Sequence, residues 1–291
     1  MIHDIIKLLK LRISLLVIIT SYLGYYLGLR SIHKNMMSID SWIILLFLLI
    51  GVFFTSSGAS ILNQFIEIDS DAKMNRTKSR PLPKGTISPY NAMYLGLISS
   101  LLGSFILFYF VNSSTSILAM STILIYVFIY TPIKRISVYN TFIGSIPGAL
   151  PIVGGWVAAT NNFDTPAWIL FGILFCWQIP HFLSIAIIYS SDYARGGMKM
   201  YPTVYPESKK TSYLILFFTI ALIVTTIGLY IIKLAGMYYA IGSAMIGIVF
   251  LFFSTLTMID NTKNNARKLM IASILYLPAL LVIIILDKYF N

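Results

Sequence analysis

Three oxygen-bearing side chains recur at intervals of four residues in the first third of the chain, at Asn63, Glu67 and Asp71. If a helix continues past Leu62, each is rotated by only about 40° from the one before, so all three share one helical face and Asp69 lies off it. Carboxylates and an amide carbonyl are hard oxygen ligands of the kind that Mg²⁺ accepts, and Mg²⁺ keeps further positions for water and phosphate oxygens. The spacing therefore predicts a magnesium site on this face.

A run of bases follows these acids directly. Arg76, Lys78 and Arg80 come before Pro81 and Pro83, which end a helix because proline has no backbone donor. Guanidinium and ammonium groups are the partners that a diphosphate requires. The alternative is a solvated helix end whose acids and bases form only weak surface pairs. The spacing of the acids and the two prolines favour the metal and diphosphate interpretation.

A second polar cluster occupies residues 177–202, WQIPHFLSIAIIYSSDYARGGMKMYP. His181 and Asp192 are its candidates for acid-base or metal chemistry, and metal-assisted chemistry on a diphosphate often uses more than one cation. Four further bases accompany the two clusters, namely Arg195 and Lys199 in this stretch and Lys134 and Arg135 in the intervening YTPIKR. We therefore expect all of these side chains to converge on one face of the protein.

The composition indicates which elements must position these residues. The chain is 58% hydrophobic and 11% charged, with a mean hydropathy of +0.84, so we predict an all-α integral membrane protein. About nine apolar stretches could cross a hydrocarbon core of ~30 Å, which takes about 20 helical residues each. The predicted spans are 13–29, 42–62, 90–111, 116–131, 141–159, 167–189, 213–232, 235–258 and 269–286.

These spans predict one helical domain over residues 1–291, without long linkers or low-complexity tracts. The first span follows a basic flank, as a signal peptide does, but its apolar run is long and no small-residue cleavage site follows, so we interpret it as a membrane helix. The polar clusters end the second and sixth spans, as expected if two four-helix halves face each other across a cavity. Cys176 is the single cysteine, which excludes an intrachain disulfide.

The cations predict the orientation in the membrane. With nine spans, seventeen Lys and Arg residues fall on the side of the N-terminus and the charged loops, and four on the other side: Arg30, Lys34, Lys233 and Lys288. The positive-inside rule therefore predicts a cytoplasmic N-terminus and an external C-terminus in a multi-pass cell-membrane protein. Topology and anionic headgroups of the lipid bilayer explain the net charge of +11, so no nucleic-acid partner is predicted.

The motifs resemble a known family. The pattern N-x-x-x-E-x-x-x-D, followed by MNRTKSRPLPKG, YTPIKR, IPGALPIVGGWVAAT and WQIPHF…DYARGGMKMYP, is similar to the protoheme IX farnesyltransferases, of the intramembrane UbiA-type prenyltransferase superfamily. The motifs cover residues 62–206. Members that act on quinone precursors typically carry N-D-x-x-D-x-x-x-D, whereas this chain has Gln64 and Glu67, the variant that the haem enzymes show.

The resemblance implies nine transmembrane helices around a central cavity, with a cytoplasmic cap of two Asp-rich motifs that hold Mg²⁺ and farnesyl diphosphate. It implies farnesyl transfer to a vinyl group of haem B, with Mg²⁺ and bases stabilising the departing diphosphate and with no protein nucleophile. It assigns Asn63, Glu67, Asp71 and Asp192 to metal binding and catalysis, Arg76, Lys78, Arg80, Lys134, Arg135, Arg195 and Lys199 to the diphosphate, and His181 and Gln178 to the acceptor.

One departure concerns the second motif. Family members often present two spaced acids there, whereas Asp192 is followed four residues later by Gly196, which leaves one carboxylate. His181 also has a structural alternative, that of a hydrogen-bonded histidine beside Pro180. As an ionisable residue in a membrane segment it is a functional candidate, able to bind haem iron or orient the porphyrin.

Two other functions stay open. A transporter could use Glu67 and Asp71 for ion coupling, but transport sites usually lie near the bilayer midplane in broken helices, whereas these acids cluster with bases at the membrane edge. A prenyltransferase for a quinone precursor or another aromatic acceptor would carry the same donor chemistry. The acceptor does not follow from composition or spacing.

Overall fold

The computed structural model describes residues 2–206 and 208–290, without the side chains of 2–3 and 288–290, so the predicted external cation Lys288 lies outside the described side chains. These residues form helices α1 (Ile2–Leu9), α2 (Leu11–Ser31), α3 (Ile39–Ile66), α4 (Ile68–Lys73), α5 (Pro89–Phe110), α6 (Ser113–Leu124), α7 (Thr131–Ile133), α8 (Asn140–Thr160), α9 (Thr165–Ile188), α10 (Ser190–Arg195), α11 (Tyr201–Val204), α12 (Lys210–Ile231), α13 (Met237–Ile259) and α14 (Lys263–Phe290). A π-helical segment, Ile125–Tyr130, joins α6 to α7.

Nine helical segments in the described residues are long and apolar enough to cross a membrane, which confirms the predicted fold class. They are α2, α3, α5, the continuous segment from α6 to α7, α8, α9, α12, α13 and α14. Two differences from prediction are at polar ends: α3 continues to Ile66 rather than 62, and α14 begins at Lys263 rather than 269. Hydropathy misses these turns because they are helical without being apolar.

The spans pack as two rings. In the first ring α2, α3, α5, α6 and α8 each pack against the next, and α8 returns to α2. In the second ring α9, α12, α13 and α14 do the same, and α14 returns to α9. The rings meet where α8 packs against α9, and the short helices α4 and α10 meet at the polar end. The nine-helix bundle is therefore built from five helices and four, and not from the two four-helix halves across a cavity that the positions of the polar clusters suggested.

The fourth span widens at its polar end. Pro132 cannot donate a backbone hydrogen bond, and the turn before it is π-helical, with the Thr131 N–H bonded to the Tyr126 carbonyl five residues back. The Thr131 hydroxyl donates to the same carbonyl at 2.8 Å. Segments of this kind often occur at functional sites because they redirect side chains.

Helices α2 and α8 approach so closely that their backbones touch. A Cβ atom at Gly155 would lie 1.9 Å from the Ser21 carbonyl oxygen, and one at Gly24 would lie 2.0 Å from the Ile152 carbonyl oxygen. Neither position has room for a side chain. Close contact of this type holds membrane helices together by van der Waals packing, since lipid provides no hydrophobic force between them.

This contact predicts a difference between two neighbouring glycines. Gly155→Ala should lower the free energy of unfolding by about 1–3 kcal/mol, because the added methyl group forces α2 and α8 apart. Gly154→Ala is the matched control, since a Cβ there would meet no atom within 4 Å. Thermal unfolding of the purified protein in detergent measures both. Equal melting temperatures for the two variants would show that this contact does not hold the first ring together.

Candidate active site

Asn63, Glu67 and Asp71 lie where α3 passes into α4. Helical hydrogen bonds run through this junction, because the Glu67 N–H donates to the Asn63 carbonyl at 3.0 Å and the Asp71 N–H donates to the Glu67 carbonyl at 2.8 Å. The three side chains therefore share one side of the chain, as their spacing predicts, and each is at most 4% exposed. Asp69 points away and is exposed.

Each of the two buried carboxylates is paired with a base from another segment. Lys134 Nζ lies 2.9 Å from Glu67 Oε1, and Arg80 Nη1 lies 2.6 Å from Asp71 Oδ2. Burial alone would raise the pKa of Glu67, but Lys134 above all, with Lys10 and Arg80, holds it below its usual range. Burial alone would lower the pKa of Lys134, but Glu67 raises it above its usual range. Both members of this pair are therefore charged at neutral pH.

The Asn63 amide connects three segments. Its Oδ1 accepts from Lys10 Nζ at 3.3 Å, and its Nδ2 donates to Thr131 Oγ1 at 2.9 Å. Thr131 can accept because its own proton is given to the Tyr126 carbonyl in the π-helical turn. This chain of bonds orients the Asn63 carbonyl oxygen toward the acid-base cluster.

Lys10 enters the same cluster from the joint between α1 and α2. Its φ of 48° is left-handed, a conformation that costs a non-glycine residue of order 1–3 kcal/mol. Burial lowers the pKa of its ammonium to about 7, and repulsion from Arg80 and Lys134 adds to this effect, while Glu67 and Asp71 oppose it. The sequence places Lys10 among the bases that set membrane orientation and does not predict its position in the site.

The second predicted cluster meets the first through the loop that follows α4. Asp192 Oδ2 accepts from the backbone N–H of Arg76 at 3.3 Å, and Oδ1 pairs with Arg195. The Arg76 guanidinium carbon lies 5.2 Å from the ring centre of Tyr189 and 5.4 Å from that of Tyr193, and Nη2 donates to the Tyr193 hydroxyl at 3.2 Å. Burial would raise the pKa of Asp192, but these donors hold it below its usual range.

The other predicted diphosphate ligands lie at the rim. The side chains of Lys78, Arg135 and Lys199 are exposed. Arg135 Nη2 lies 3.4 Å from the Ile66 carbonyl at the end of α3. The Lys199 N–H donates to the Lys134 carbonyl at 2.7 Å, which ties the loop after α10 to the base that neutralises Glu67.

Gln178 lies at the joint between the two rings. Its Nε2 is 3.1 Å from the Leu174 carbonyl and 3.4 Å from the Ser145 carbonyl of α8. A Cβ at Gly148 would lie 1.9 Å from Gln178 Oε1, so the glycine makes room for this amide. The side chain predicted to bind the acceptor is thus held between α8 and α9.

His181 faces α14. Its Nδ1 lies 2.7 Å from Ser273 Oγ, its ring stacks on Trp177 with the centroids 5.0 Å apart, and Trp177 Nε1 donates to the Ser273 carbonyl at 2.8 Å. The Ser273 hydroxyl donates to the Met270 carbonyl at 2.6 Å, so it must accept from Nδ1–H. The lone pair of this histidine is therefore on Nε2. These bonds connect His181 to the second ring, separately from the acid-base cluster in the first.

A small apolar cavity of about 50 Å³ lies inside the first ring. On α3 its lining runs from Ala59 to Val52, roughly one to three helical turns below Asn63. The lining hydroxyls each donate to a helix carbonyl, and they belong to Ser21, Thr55, Ser56, Thr115 and Thr122. The walls of this cavity, which we call the apolar chamber, can therefore contact a hydrocarbon without leaving a hydroxyl donor unsatisfied.

The carboxylate of Asp71 fits a divalent cation. Its Oδ2 pairs with Arg80, whereas its Oδ1 is buried and accepts no hydrogen bond from the described residues. Unsatisfied hard oxygen donors of this kind are completed by a metal ion such as Mg²⁺. Within the described residues no group of three or more His, Cys, Asp or Glu side chains could hold a metal alone. A cation bound here would therefore have coordination positions left for phosphate oxygens and water. The predicted metal set of Asn63, Glu67, Asp71 and Asp192 stays a prediction.

Sequence comparison identifies the class of protein. The profile of the UbiA prenyltransferase family matches residues 17–276, and the chain belongs to this family. Within it, the chain is similar to protoheme IX farnesyltransferases: that of Solibacter usitatus is 37% identical over 98% of this chain and 99% of its own length. The protein of the same name from Koribacter versatilis is 34% identical over 99% of this chain and 94% of its own length.

Solved structures share the fold. A digeranylgeranylglyceryl phosphate synthase superposes with a TM-score of 0.79 at 21% identity, each chain being covered to 98%. A UbiA homologue from Archaeoglobus fulgidus, bound to GPP and Mg²⁺, superposes with a TM-score of 0.64 at 14% identity, covering 97% of this chain and 99% of its own. The nine-helix architecture is therefore that of intramembrane prenyltransferases.

The contact between Asp192 and the Arg76 backbone predicts that Asp192 orders the loop over residues 74–84. Asp192→Ala should raise amide hydrogen exchange in this loop at least about tenfold, because a hydrogen bond to a charged group is worth about 1.5–3 kcal/mol. Asp69→Ala, which removes an exposed carboxylate, should leave exchange unchanged. Mass-spectrometric exchange on the purified protein measures both, and unchanged exchange in Asp192→Ala would contradict this anchoring role.

Proposed function

We propose that the protein transfers a farnesyl group from farnesyl diphosphate to a vinyl group of haem B, giving haem O. The observation that carries this proposal is a buried acid-base cluster directly above an apolar chamber, in a chain of the UbiA prenyltransferase family. The relatives that are 37% and 34% identical over nearly their full length carry the name protoheme IX farnesyltransferase, which supports the choice of acceptor and donor.

The diphosphate would bind at the cluster, with the farnesyl chain in the apolar chamber. Arg80 and Lys134 already lie against Asp71 and Glu67, so cations surround the place where leaving-group charge would develop. Mg²⁺, held by Asn63, Glu67 and Asp71, would supply further neutralisation of that charge, which is consistent with the GPP and Mg²⁺ bound to the A. fulgidus homologue. The rim bases Lys78, Arg135, Arg195 and Lys199 would draw the anion toward the site.

Arg76 and Asp192 would act by closing the cap. The backbone N–H of Arg76 is bonded to Asp192 and its side chain lies on two tyrosines, so the loop that carries Arg80 is fixed to the second ring. A fixed loop holds Arg80 beside the diphosphate without loss of entropy on binding.

Chemistry would begin when the bond between the allylic carbon and the diphosphate oxygen breaks, with both electrons leaving on the diphosphate. The π electrons of a haem vinyl group attack the allylic cation, and water adds to the resulting cation with loss of a proton, giving a hydroxyethylfarnesyl side chain. The chamber hydroxyls donate to backbone carbonyls, so few polar groups near the farnesyl chain would hold water that could quench the cation.

His181 is the proposed haem ligand. Its Nδ1–H is bonded to Ser273 and its ring is stacked on Trp177, which leaves the Nε2 lone pair free for iron in a fixed orientation. Gln178, held between α8 and α9, is proposed to shape the acceptor site where the two rings meet.

Purified protein in nanodiscs, given haem B, farnesyl diphosphate and Mg²⁺, should produce a less polar haem heavier by one farnesyl group and one hydroxyl group, as measured by chromatography and mass spectrometry. Diphosphate should be released in equal amount. Release that requires 4-hydroxybenzoate or a naphthoate and ignores haem would instead identify a quinone-precursor enzyme, and no release with any acceptor would favour a transporter.

Matched variants separate the donor and acceptor halves of the site. Asp71→Ala should reduce turnover by on the order of 100-fold, because a metal ligand is lost. Asp69→Ala removes an exposed carboxylate and should keep near-parental activity. His181→Ala should weaken haem binding, followed by absorption spectroscopy, without changing the affinity for diphosphate. Equal losses in Asp69→Ala and Asp71→Ala would contradict the one-sided metal site.

The excess of cations at the polar end supports a cytoplasmic active site. Ser79→Cys, in the loop after α4, should be labelled by an impermeant maleimide only after cells are opened, while Asn162→Cys, between α8 and α9, should be labelled on intact spheroplasts. Both positions are exposed, and the native Cys176 is buried, so background labelling should be low. The reverse pattern would invert the proposed orientation.

A further inference from the structure

We propose that Lys10 is an additional diphosphate-binding residue and that Gln64 positions it through the end of α1. Nothing in the sequence motifs assigns either residue to this role. The inference takes its ligand from the proposed function, but it concerns only the diphosphate group and is independent of the acceptor.

Gln64 holds the last turn of α1 against α3. Its Nε2 donates to the Leu8 carbonyl at 2.7 Å, and the side chain is 1% exposed. Leu8 is itself fully buried in a small apolar cluster with Ile61, Leu82 and Ala92. One end of α1 is therefore fixed both by a hydrogen bond and by packing against α3, α5 and the loop that carries Arg80.

The chemistry of this bond requires an amide at position 64. A carboxylate, which quinone-type enzymes typically carry at the corresponding motif position, has no proton to donate and would repel the Leu8 carbonyl. Glutamine donates through Nε2 and still presents Oε1 as an acceptor, which is buried and without a partner among the described residues. Glutamine at position 64 therefore provides a hydrogen bond that anchors α1, where a carboxylate would provide a possible metal ligand.

The anchor determines where Lys10 points. Two residues after Leu8, the left-handed backbone of Lys10 turns the chain from α1 into α2 and directs Nζ to Asn63 Oδ1 at 3.3 Å. Lys7 and Arg12, which belong to the same basic flank, are exposed. Of the three cations in this flank, Lys10 therefore points into the protein, whereas Lys7 and Arg12 remain at the surface, where they can set membrane orientation.

The charges of the cluster are incomplete without an anion. Arg80 pairs with Asp71 and Lys134 pairs with Glu67, so the two carboxylates are already neutralised. Lys10 contacts only the neutral Asn63 amide, so its ammonium adds a positive charge in excess of the carboxylates. Excess buried charge is unfavourable unless an ion of opposite sign binds. A prenyl diphosphate with a bound Mg²⁺ is still anionic and supplies that charge. Lys10 then donates to a phosphate oxygen instead of Asn63, whose carbonyl oxygen becomes available to the metal.

The test measures binding of inorganic diphosphate with Mg²⁺ to the full chain in nanodiscs by calorimetry. Lys10→Ala should weaken binding at least tenfold, and Lys10→Met, which keeps the apolar stem, should do the same. Lys7→Ala and Arg12→Ala are controls that remove a flank charge and should bind as the parent does. In turnover assays Lys10→Ala should raise KM for farnesyl diphosphate and leave KM for haem unchanged. Parental diphosphate affinity in both Lys10 variants would overturn the proposal.

The positioning role of Gln64 has its own readout. Gln64→Glu should weaken diphosphate binding and increase amide hydrogen exchange over residues 7–11, because the bond to Leu8 is lost. Combining it with Lys10→Ala should weaken binding no further than Lys10→Ala alone, and an additive loss would overturn the positioning role. If the parent binds diphosphate through Lys10 but does not farnesylate haem, the proposed acceptor fails and the Lys10 assignment stands.

Discussion

Neutralisation of buried carboxylates is the constraint on which the polar end of this protein depends. Glu67 and Asp71 are almost completely buried, and each is tolerable only because a base from another segment reaches it. Lys134 comes from the end of the fourth span and Arg80 from the loop after α4. Removing one partner of a buried pair typically destabilises by about 3–5 kcal/mol, so these pairs determine the conformation of the loops as well as the charge of the site.

The low dielectric of the protein interior also explains why the cap and the chamber differ so much in composition. In the chamber every lining hydroxyl is satisfied by a carbonyl of its own or a neighbouring helix, so the walls behave as hydrocarbon. In the cap, the buried carboxylates are satisfied by bases. A substrate with a long apolar chain and an anionic end matches both environments at once, and the boundary between them lies at Asn63, within about one turn of the chamber.

The sequence predicted those features that local periodicity determines. Hydropathy identified all nine spans, and the four-residue spacing identified the common side of Asn63, Glu67 and Asp71 because helical hydrogen bonds continue through the α3–α4 junction. It did not predict the partners of Asp192 or Lys10. Asp192 is bonded to a backbone N–H 116 positions away, and any residue type can supply such a donor. Lys10 carries no local signal that separates it from the exposed bases on either side.

The division into two rings explains why the cap must connect distant parts of the chain. Within the membrane the rings meet mainly along α8 and α9, where Gln178 fits against Gly148. The cluster that would bind the donor belongs to the first ring, whereas His181 is bonded to α14 in the second. Under the proposed reaction a haem held by His181 must present its vinyl group to the allylic carbon above the chamber. In that reaction the packing of α8 against α9 would set the distance between the reacting carbons, and the bond from Asp192 to the Arg76 backbone would hold the cap across both rings at the polar end.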